Sequence, residues 1–116
     1  MSPAVRLVFV LHNHQPVGNF DSVIEDACRD AYYPMLELLE RHPHVRVGIH
    51  TSGPLAEWLD RNKGDYLDRL ATLAARGQVE IVGGAFQEPV LAILPSRDRI
   101  GQISQFKTWL ERRLDT

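Results

Sequence analysis

The chain has 116 residues, of which 44% are hydrophobic and 24% charged, and its formal net charge is −2. This composition is typical of one globular domain, and so small a charge gives no basis for binding nucleic acid or an anionic membrane surface. Cys28 is the single cysteine, which excludes a disulfide framework and a thiolate metal cluster. We expect one domain over residues 1–116, with no second domain, and a buried, unreactive thiol at Cys28.

Three short apolar runs, rich in β-branched residues, predict strands over residues 7–11, 45–49 and 79–82. The first run is expected to be buried on both faces, as strands of parallel sheets are. None of these runs is long enough to cross a membrane, and the first lacks a signal-peptide cleavage site. The sequence therefore predicts a cytoplasmic protein with no membrane partner.

Helical spacing of apolar residues predicts the segments between these strands. Ser22 and Glu25 fit a capping box at the start of the first helix. Pro34 lacks an N–H group and crowds the preceding turn, so we expect a break or kink near Tyr33 and a second stretch from Pro34 to about Arg41. Pro54 suits the first turn of a further helix, and Asp65 and Ser96 are expected to cap the two helices after it.

Strands that alternate with helices predict an α/β fold with a parallel sheet. The carboxyl ends of such strands meet at one edge, where ligands usually bind. The residues that follow the three strands are therefore expected to form one site: His12, His14, Gln15, His50, Thr51, Phe86, Gln87 and Glu88.

This set of residues fits two kinds of chemistry. His12 and His14 are two residues apart on an extended chain, so both point to one side, and with Glu88 they supply ligand types that zinc accepts. The same residues offer the donors, acceptors and aromatic face that a sugar needs. His50 could instead satisfy backbone groups at a strand end, and Glu88 could be a solvated loop residue.

Several motifs together resemble glycoside hydrolase family 57, and the resemblance covers nearly the whole chain. It is closest to the branch of α-amylases and 4-α-glucanotransferases. The matching segments are His-Asn-His-Gln-Pro at 12–16, His-Thr-Ser-Gly-Pro-Leu at 50–55, and residues 77–84, 86–91 and 95–103.

The resemblance implies a (β/α)7 barrel that acts on α-1,4-glucans with retention and needs no metal or other cofactor. Residues 1–116 would be the N-terminal portion of this catalytic barrel, incomplete in this chain. By the family pattern His14 and Glu88 line the subsite next to the cleaved bond, with His12 beside them. We expect the substrate, an α-glucan or maltooligosaccharide, to contact His12, His14, Gln15, His50, Phe86 and Glu88. Gln87 departs from the pattern, because this branch often has an aromatic residue there.

Retaining glycosidases need two carboxyl groups, a nucleophile and an acid/base. The resemblance places both on later strands, beyond Thr116, so no catalytic residue is expected in this chain. We therefore expect the chain alone to be inactive, and to self-associate or bind a second chain that completes the barrel.

Two alternatives stay open beside this interpretation. One is a zinc-dependent polysaccharide deacetylase or mannosidase-like hydrolase, although Asn13 and Gln15 stand where such enzymes need an aspartate. The other is a non-catalytic carbohydrate-binding or assembly module. The sequence does not distinguish hydrolysis from glucan transfer.

Overall fold

The computed structural model describes residues 2–116 and contains a three-stranded sheet with five α-helices. The strands are β1 (Val10–Asn13), β2 (Val47–Thr51) and β3 (Val79–Ile81). They lie in the order β1-β2-β3, and both pairs are parallel. The α/β class and the parallel sheet expected from the sequence are therefore confirmed.

The helices follow the expected order along the chain. The first two, α1 and α2, are joined by a π turn over Cys28–Tyr32, and a short 3-10 turn over Leu91–Ile93 precedes the last. The helices are α1 (Asp21–Ala27), α2 (Tyr33–Arg41), α3 (Gly53–Asn62), α4 (Gly64–Ala75) and α5 (Ser96–Leu114).

The first strand begins later than its apolar run. Leu7 and Val8 precede β1 and are 87% and 85% exposed, so the prediction of a strand over 7–11 that is buried on both faces is wrong. Pairing starts where β2 offers a partner, with the N–H of Gly48 donating to the carbonyl of Phe9 at 2.9 Å. As a result His12 lies within β1 rather than after it.

The capping box predicted for the first helix does not form. The cap position is Phe20, and no side chain bonds to the free N–H groups there. The Glu25 carboxylate instead lies 2.8 Å from Nζ of Lys63, an ion pair that draws it away from the helix start. Asp65 and Ser96 likewise lie in the first turns of α4 and α5 without capping them.

The regular helix is interrupted just before Pro34, where the sequence predicts a break or kink. The N–H of Tyr33 donates to the carbonyl of Cys28, five residues earlier, so the backbone widens into a π turn just before the proline. A wider turn accommodates a residue that lacks an N–H and whose ring would crowd the carbonyl four positions back. The second stretch then runs from Tyr33 to Arg41, close to its predicted bounds.

The core lies on one face of the sheet. Val47, Ile49 and Val79 are buried there with apolar side chains from all five helices. Alternation along the strands sends Val10, His12, Gly48, His50 and Glu80 to the other face. Within residues 2–116 this second face has no helix layer comparable to the core side, and Val10 on it is 53% exposed.

Within residues 2–116, none of the helices combines the length and apolar character needed to cross a membrane. The cytoplasmic location stays a prediction.

Candidate functional site

The two strands bring three histidines together at the carboxyl end of the sheet. His12 on β1 and His50 on β2 are direct partners in the parallel register, and His14 follows His12 by two residues. All three side chains are therefore sent to the same side. The ring centroids of His12 and His50 lie 4.9 Å apart, and those of His12 and His14 lie 5.8 Å apart.

Glu88 reaches the histidines from the loop after β3. Its N–H donates to the carbonyl of Ala85 at 3.2 Å, and its φ is +52°, in the left-handed region that side chains other than glycine seldom adopt. The loop is fixed by the N–H of Gly53, which donates to the carbonyl of Phe86 at 3.0 Å. A Cβ atom at Gly53 would lie 2.4 Å from that oxygen, so this close approach requires glycine.

The Glu88 carboxylate contacts all three imidazoles. Its Oε2 lies 2.5 Å from Nδ1 of His14, and its Oε1 lies 3.3 Å from Nε2 of His12 and 3.5 Å from Nδ1 of His50. The carboxylate is 23% exposed, so these contacts are partly shielded from water. Hydrogen bonds to an ionised carboxylate are the stronger kind, so Glu88 organises the cluster.

His50 is the most enclosed member of this cluster. Its side chain is 14% exposed, against 53% for His12 and 47% for His14. The edge of its ring meets the ring of Phe106 with centroids 5.8 Å apart. Burial, and secondly the neighbouring His12, lower the pKa of His50 below its usual value, which favours the neutral imidazole.

Gln15 lies beside this cluster and shapes the loop after β1. Its Nε2 donates to the Tyr32 hydroxyl at 3.1 Å, and its Oε1 accepts from Nδ2 of Asn19 at 2.8 Å. Gln15 also lines a groove of about 310 Å³ together with Trp58 and Gln87. Gln15 thus lines a groove whose walls include none of the site histidines, while its own polar atoms hold the loop.

Phe86 is not placed as a sugar-stacking residue. Its side chain is 1% exposed and its ring packs edge-on against Phe106, with centroids 5.8 Å apart. A buried ring cannot present its face to a ligand. The position of Phe86 therefore does not agree with the substrate contact expected from the sequence. Its contribution is structural: its carbonyl accepts from Gly53 and its N–H donates to the carbonyl of Gln102 at 3.2 Å.

Sequence reasoning missed Asn19, Tyr32 and Gly53 as supports of the site. Gly53 is the first residue of α3, and the available signal was a glycine just before Pro54 at the predicted helix start. Asn19 and Tyr32 hold the side chain of Gln15 by hydrogen bonds. Tyr32 lies in a π turn, which no simple pattern in the sequence indicates.

His12, His14 and Glu88 each offer one ligand atom within 4.8 Å of the others, so they are the residues that could hold a metal ion. A tetrahedral zinc ion with bonds of roughly 2.0–2.2 Å keeps its ligand atoms about 3.3 Å apart. The 2.5 Å contact between His14 and Glu88 is too short for two such ligands and fits a direct hydrogen bond. The observed geometry therefore favours a hydrogen-bonded cluster.

Residues 8–116 match the sequence model of glycosyl hydrolase family 57. This chain belongs to that family. Among family 57 proteins it is 52% identical to an α-amylase of Pyrococcus furiosus over 109 residues, which cover 94% of the chain and 17% of the relative. It is 48% identical to a 4-α-glucanotransferase of Thermococcus litoralis over 108 residues, covering 93% of the chain and 16% of the relative.

The fold agrees with a solved family 57 structure. The crystal structure of 4-α-glucanotransferase from Thermococcus litoralis superimposes with a TM-score of 0.87 at 50% identity. The match covers 92% of this chain and 17% of that chain. This chain thus spans about one sixth of the length of these relatives.

Proposed function

We propose that this chain is the N-terminal, substrate-binding part of a retaining glycoside hydrolase or 4-α-glucanotransferase that acts on α-1,4-glucans. The observation that carries the proposal is the Glu88 carboxylate, hydrogen-bonded to His14 and 3.3 Å from His12, at the carboxyl edge of the sheet. The names of the relatives, α-amylase and 4-α-glucanotransferase, support a glucan as the ligand.

The cluster has the chemistry that a sugar hydroxyl requires. His14 is about half exposed and contacts Glu88 through Nδ1, which leaves its Nε2 for a ligand. A hydroxyl both donates and accepts, and it finds imidazole nitrogens and carboxylate oxygens within one small area. Gln15 and Gln87, the chain neighbours of His14 and Glu88, line a groove of about 310 Å³ that gives room for further sugar units.

The chemical step is proposed to use carboxyl groups outside this chain. Retention needs a nucleophile and an acid/base roughly 5–5.5 Å apart, and one carboxylate cannot serve as both. Glu88 is in addition hydrogen-bonded to His14 and in contact with His12. Its proposed task is to bind and orient the sugar next to the bond that is cleaved.

We also propose that the open face of the sheet is the inside of a (β/α)7 barrel, of which residues 1–116 form the first portion. The outer edges of β1 and β3 have no strand partner among residues 2–116. Val10 and Val82 flank Gly48 on this face, each 3.2 Å from where a Cβ at Gly48 would lie. Further parallel strands would pair with these edges and cover these side chains.

Glucan binding tests the proposal most directly. Calorimetry with maltohexaose should show binding to the protein, and Glu88→Gln should weaken it about tenfold, since a hydrogen bond to a charged group is worth roughly 1.5–3 kcal/mol. Glu80→Gln is the matched control, because Glu80 is an exposed glutamate of β3 at the other end of the strands. Equal affinities for Glu88→Gln and the unsubstituted protein would contradict the proposal.

The 116-residue chain alone should release no reducing ends and form no transfer products from the same glucan. Turnover that survives purification and disappears with Glu88→Gln would mean that the reacting groups lie within these residues. Turnover that requires added zinc would favour the deacetylase or mannosidase-like alternative.

A further inference from the structure

The contact between His12 and His50 joins the same atom of each ring. The two Nδ1 atoms are 2.7 Å apart, and the ring planes are only 16° from parallel. Atoms of rings stacked face to face stay at van der Waals separation, about 3.5 Å. The shorter distance means that the two rings meet at their edges through a hydrogen bond.

Such a bond holds one hydrogen between the two nitrogens. Two N–H groups facing each other would collide, and two lone pairs would repel. A neutral imidazole carries its hydrogen on one nitrogen and a lone pair on the other. Either His50 donates to His12 or His12 donates to His50. The choice decides whether Nε2 of His12 carries a hydrogen or a lone pair.

Glu88 decides between these two arrangements for a neutral His12. Nε2 of His12 lies 3.3 Å from Oε1 of Glu88, and an ionised carboxylate only accepts hydrogen bonds. If His12 donated through Nδ1, its Nε2 would direct a lone pair at the carboxylate oxygen. If His50 donates, Nε2 of His12 carries the hydrogen, and the positive N–H rather than a lone pair lies beside the carboxylate oxygen.

We propose that His50 is a positioning residue whose Nδ1–H donates to Nδ1 of His12 and thereby places the hydrogen of His12 on Nε2, the nitrogen that lies 3.3 Å from Oε1 of Glu88. The hydrogen bond from His50 thus sets which nitrogen of His12 turns a positive N–H toward the carboxylate. His14 donates to the other oxygen of Glu88 from its own Nδ1, 2.5 Å away. One carboxylate oxygen is therefore hydrogen-bonded to His14, and the other lies close to the N–H that His50 places on His12.

The surroundings of His50 suit this role. The titratable groups that face it are His12, His14 and Glu88, and its low exposure favours the neutral ring that the arrangement needs. Phe106 packs against one side of the ring, and Gly84 leaves room for Nε2, since a Cβ there would lie 3.4 Å from that atom. His50 thus affects the exposed part of the site through His12.

Nitrogen NMR of the protein with isotope-labelled histidine tests the proposal without any substitution. At about pH 8, where unperturbed imidazoles are neutral, N–H and lone-pair nitrogens have well-separated shifts. We expect His50 to carry its hydrogen on Nδ1 and His12 to carry its hydrogen on Nε2. A hydrogen on Nε2 of His50 and on Nδ1 of His12 would overturn the proposal.

Two variants of similar shape separate positioning from packing. His50→Asn keeps an N–H donor where Nδ1 lies, whereas His50→Leu keeps the branching and removes the donor. The proposal expects maltohexaose binding to fall about tenfold in His50→Leu, as for a lost bond in a charged network, and to be largely retained in His50→Asn. Equal losses in both variants, or no loss in either, would show that His50 only fills space.

The maltohexaose-binding experiment rests on the proposed function, whereas the nitrogen NMR experiment does not. If the unsubstituted protein fails to bind maltohexaose, the proposed function fails while the hydrogen positions still test the role of His50. If it binds and the hydrogen positions are reversed, the role of His50 fails and the proposed function stands.

Discussion

Glu88 combines a strained backbone conformation with the central side-chain contacts of the site. Its left-handed backbone, with φ at +52°, costs about 1–2 kcal/mol for a residue with a side chain. The surrounding loop holds it there through the Ala85 carbonyl, and its side chain gains contacts with His12 and His14. Strained residues of this kind concentrate at functional sites, which agrees with the role proposed for Glu88.

The buried imidazole of His50 predicts how stability depends on pH. Burial lowers the pKa of His50 in the folded state below 6.5, so the unfolded chain takes up this proton more readily. The resulting loss of stability is absent above about pH 6.5 and grows as the pH falls through that value toward the lower folded pKa.

Urea unfolding at about pH 7.5 and pH 5 measures this loss. His50→Asn should lose less free energy of unfolding between the two pH values than the unsubstituted protein does. His44→Asn is the control, since His44 lies on an exposed turn. An unchanged difference for His50→Asn would contradict the expected linkage.

The histidine cluster is expected to hold no stoichiometric zinc. Protein purified without a histidine tag should contain well below about one equivalent of zinc, because His14 and Glu88 are hydrogen-bonded at 2.5 Å and Asn13 and Gln15 supply no further carboxylate. Elemental analysis checks this. Stoichiometric zinc that is lost in His12→Ala would favour the zinc hydrolase.

The sequence predicted which residues meet, and it failed on how they are held. His12, His14 and Glu88 follow from the rule that parallel strands end at one edge. The pairing of His50 with His12 depends on the strand register, and the left-handed backbone of Glu88 has no glycine to signal it. Phe86 looked available because burial within a loop depends on α5, which packs over it from later in the chain.

At the scale of elements, strand positions were the least predictable feature. The apolar run at 7–11 indicated where a strand would be buried, but pairing with β2 starts only near Phe9. Helix order was predicted because apolar spacing is a local property. Caps were not, since the expected partner Glu25 is bound by Lys63 from a distant part of the chain.

The thiol of Cys28 is expected to react slowly in the folded protein. Cys28 lies in the π turn, is 2% exposed, and burial raises the pKa of its thiol to about 11. At about pH 8 only about one thiol in a thousand would be ionised. We expect slow reaction with iodoacetamide in the folded protein and fast reaction in urea, measured by mass spectrometry. Equal rates would contradict the buried position.

At the scale of the whole molecule, the open side of the sheet is the dominant feature. Exposed apolar side chains cluster in the segment leading into β1, and others lie near the start of α5. They include Val5, Leu7, Val8, Val10, Val90, Ile93 and Ile100. A soluble monomer seldom exposes an apolar patch of more than several hundred Å², so these surfaces call for a covering partner.

The 116-residue chain is therefore expected to self-associate or to bind a second chain that supplies further strands. Light scattering over a range of protein concentrations measures this. Leu7→Lys with Val8→Lys should reduce association, whereas Arg41→Ala, a change on the exposed end of α2, should not. A monodisperse monomer that unfolds cooperatively would contradict both the association and the barrel proposal.

The π turn at Cys28–Tyr32 has a consequence for comparing and altering this sequence. A π turn contains one residue more than an α-helical turn of the same span, so it behaves as an insertion inside a helix. Deleting Ala31 would restore a regular helix, but it would rotate the residues on its two sides by about 100° relative to each other. Cys28 and Tyr32 could then no longer both keep their places, and the Tyr32 hydroxyl would leave Gln15. A one-residue deletion in this turn would therefore disturb the loop that follows His14, although the deleted residue is not part of that loop.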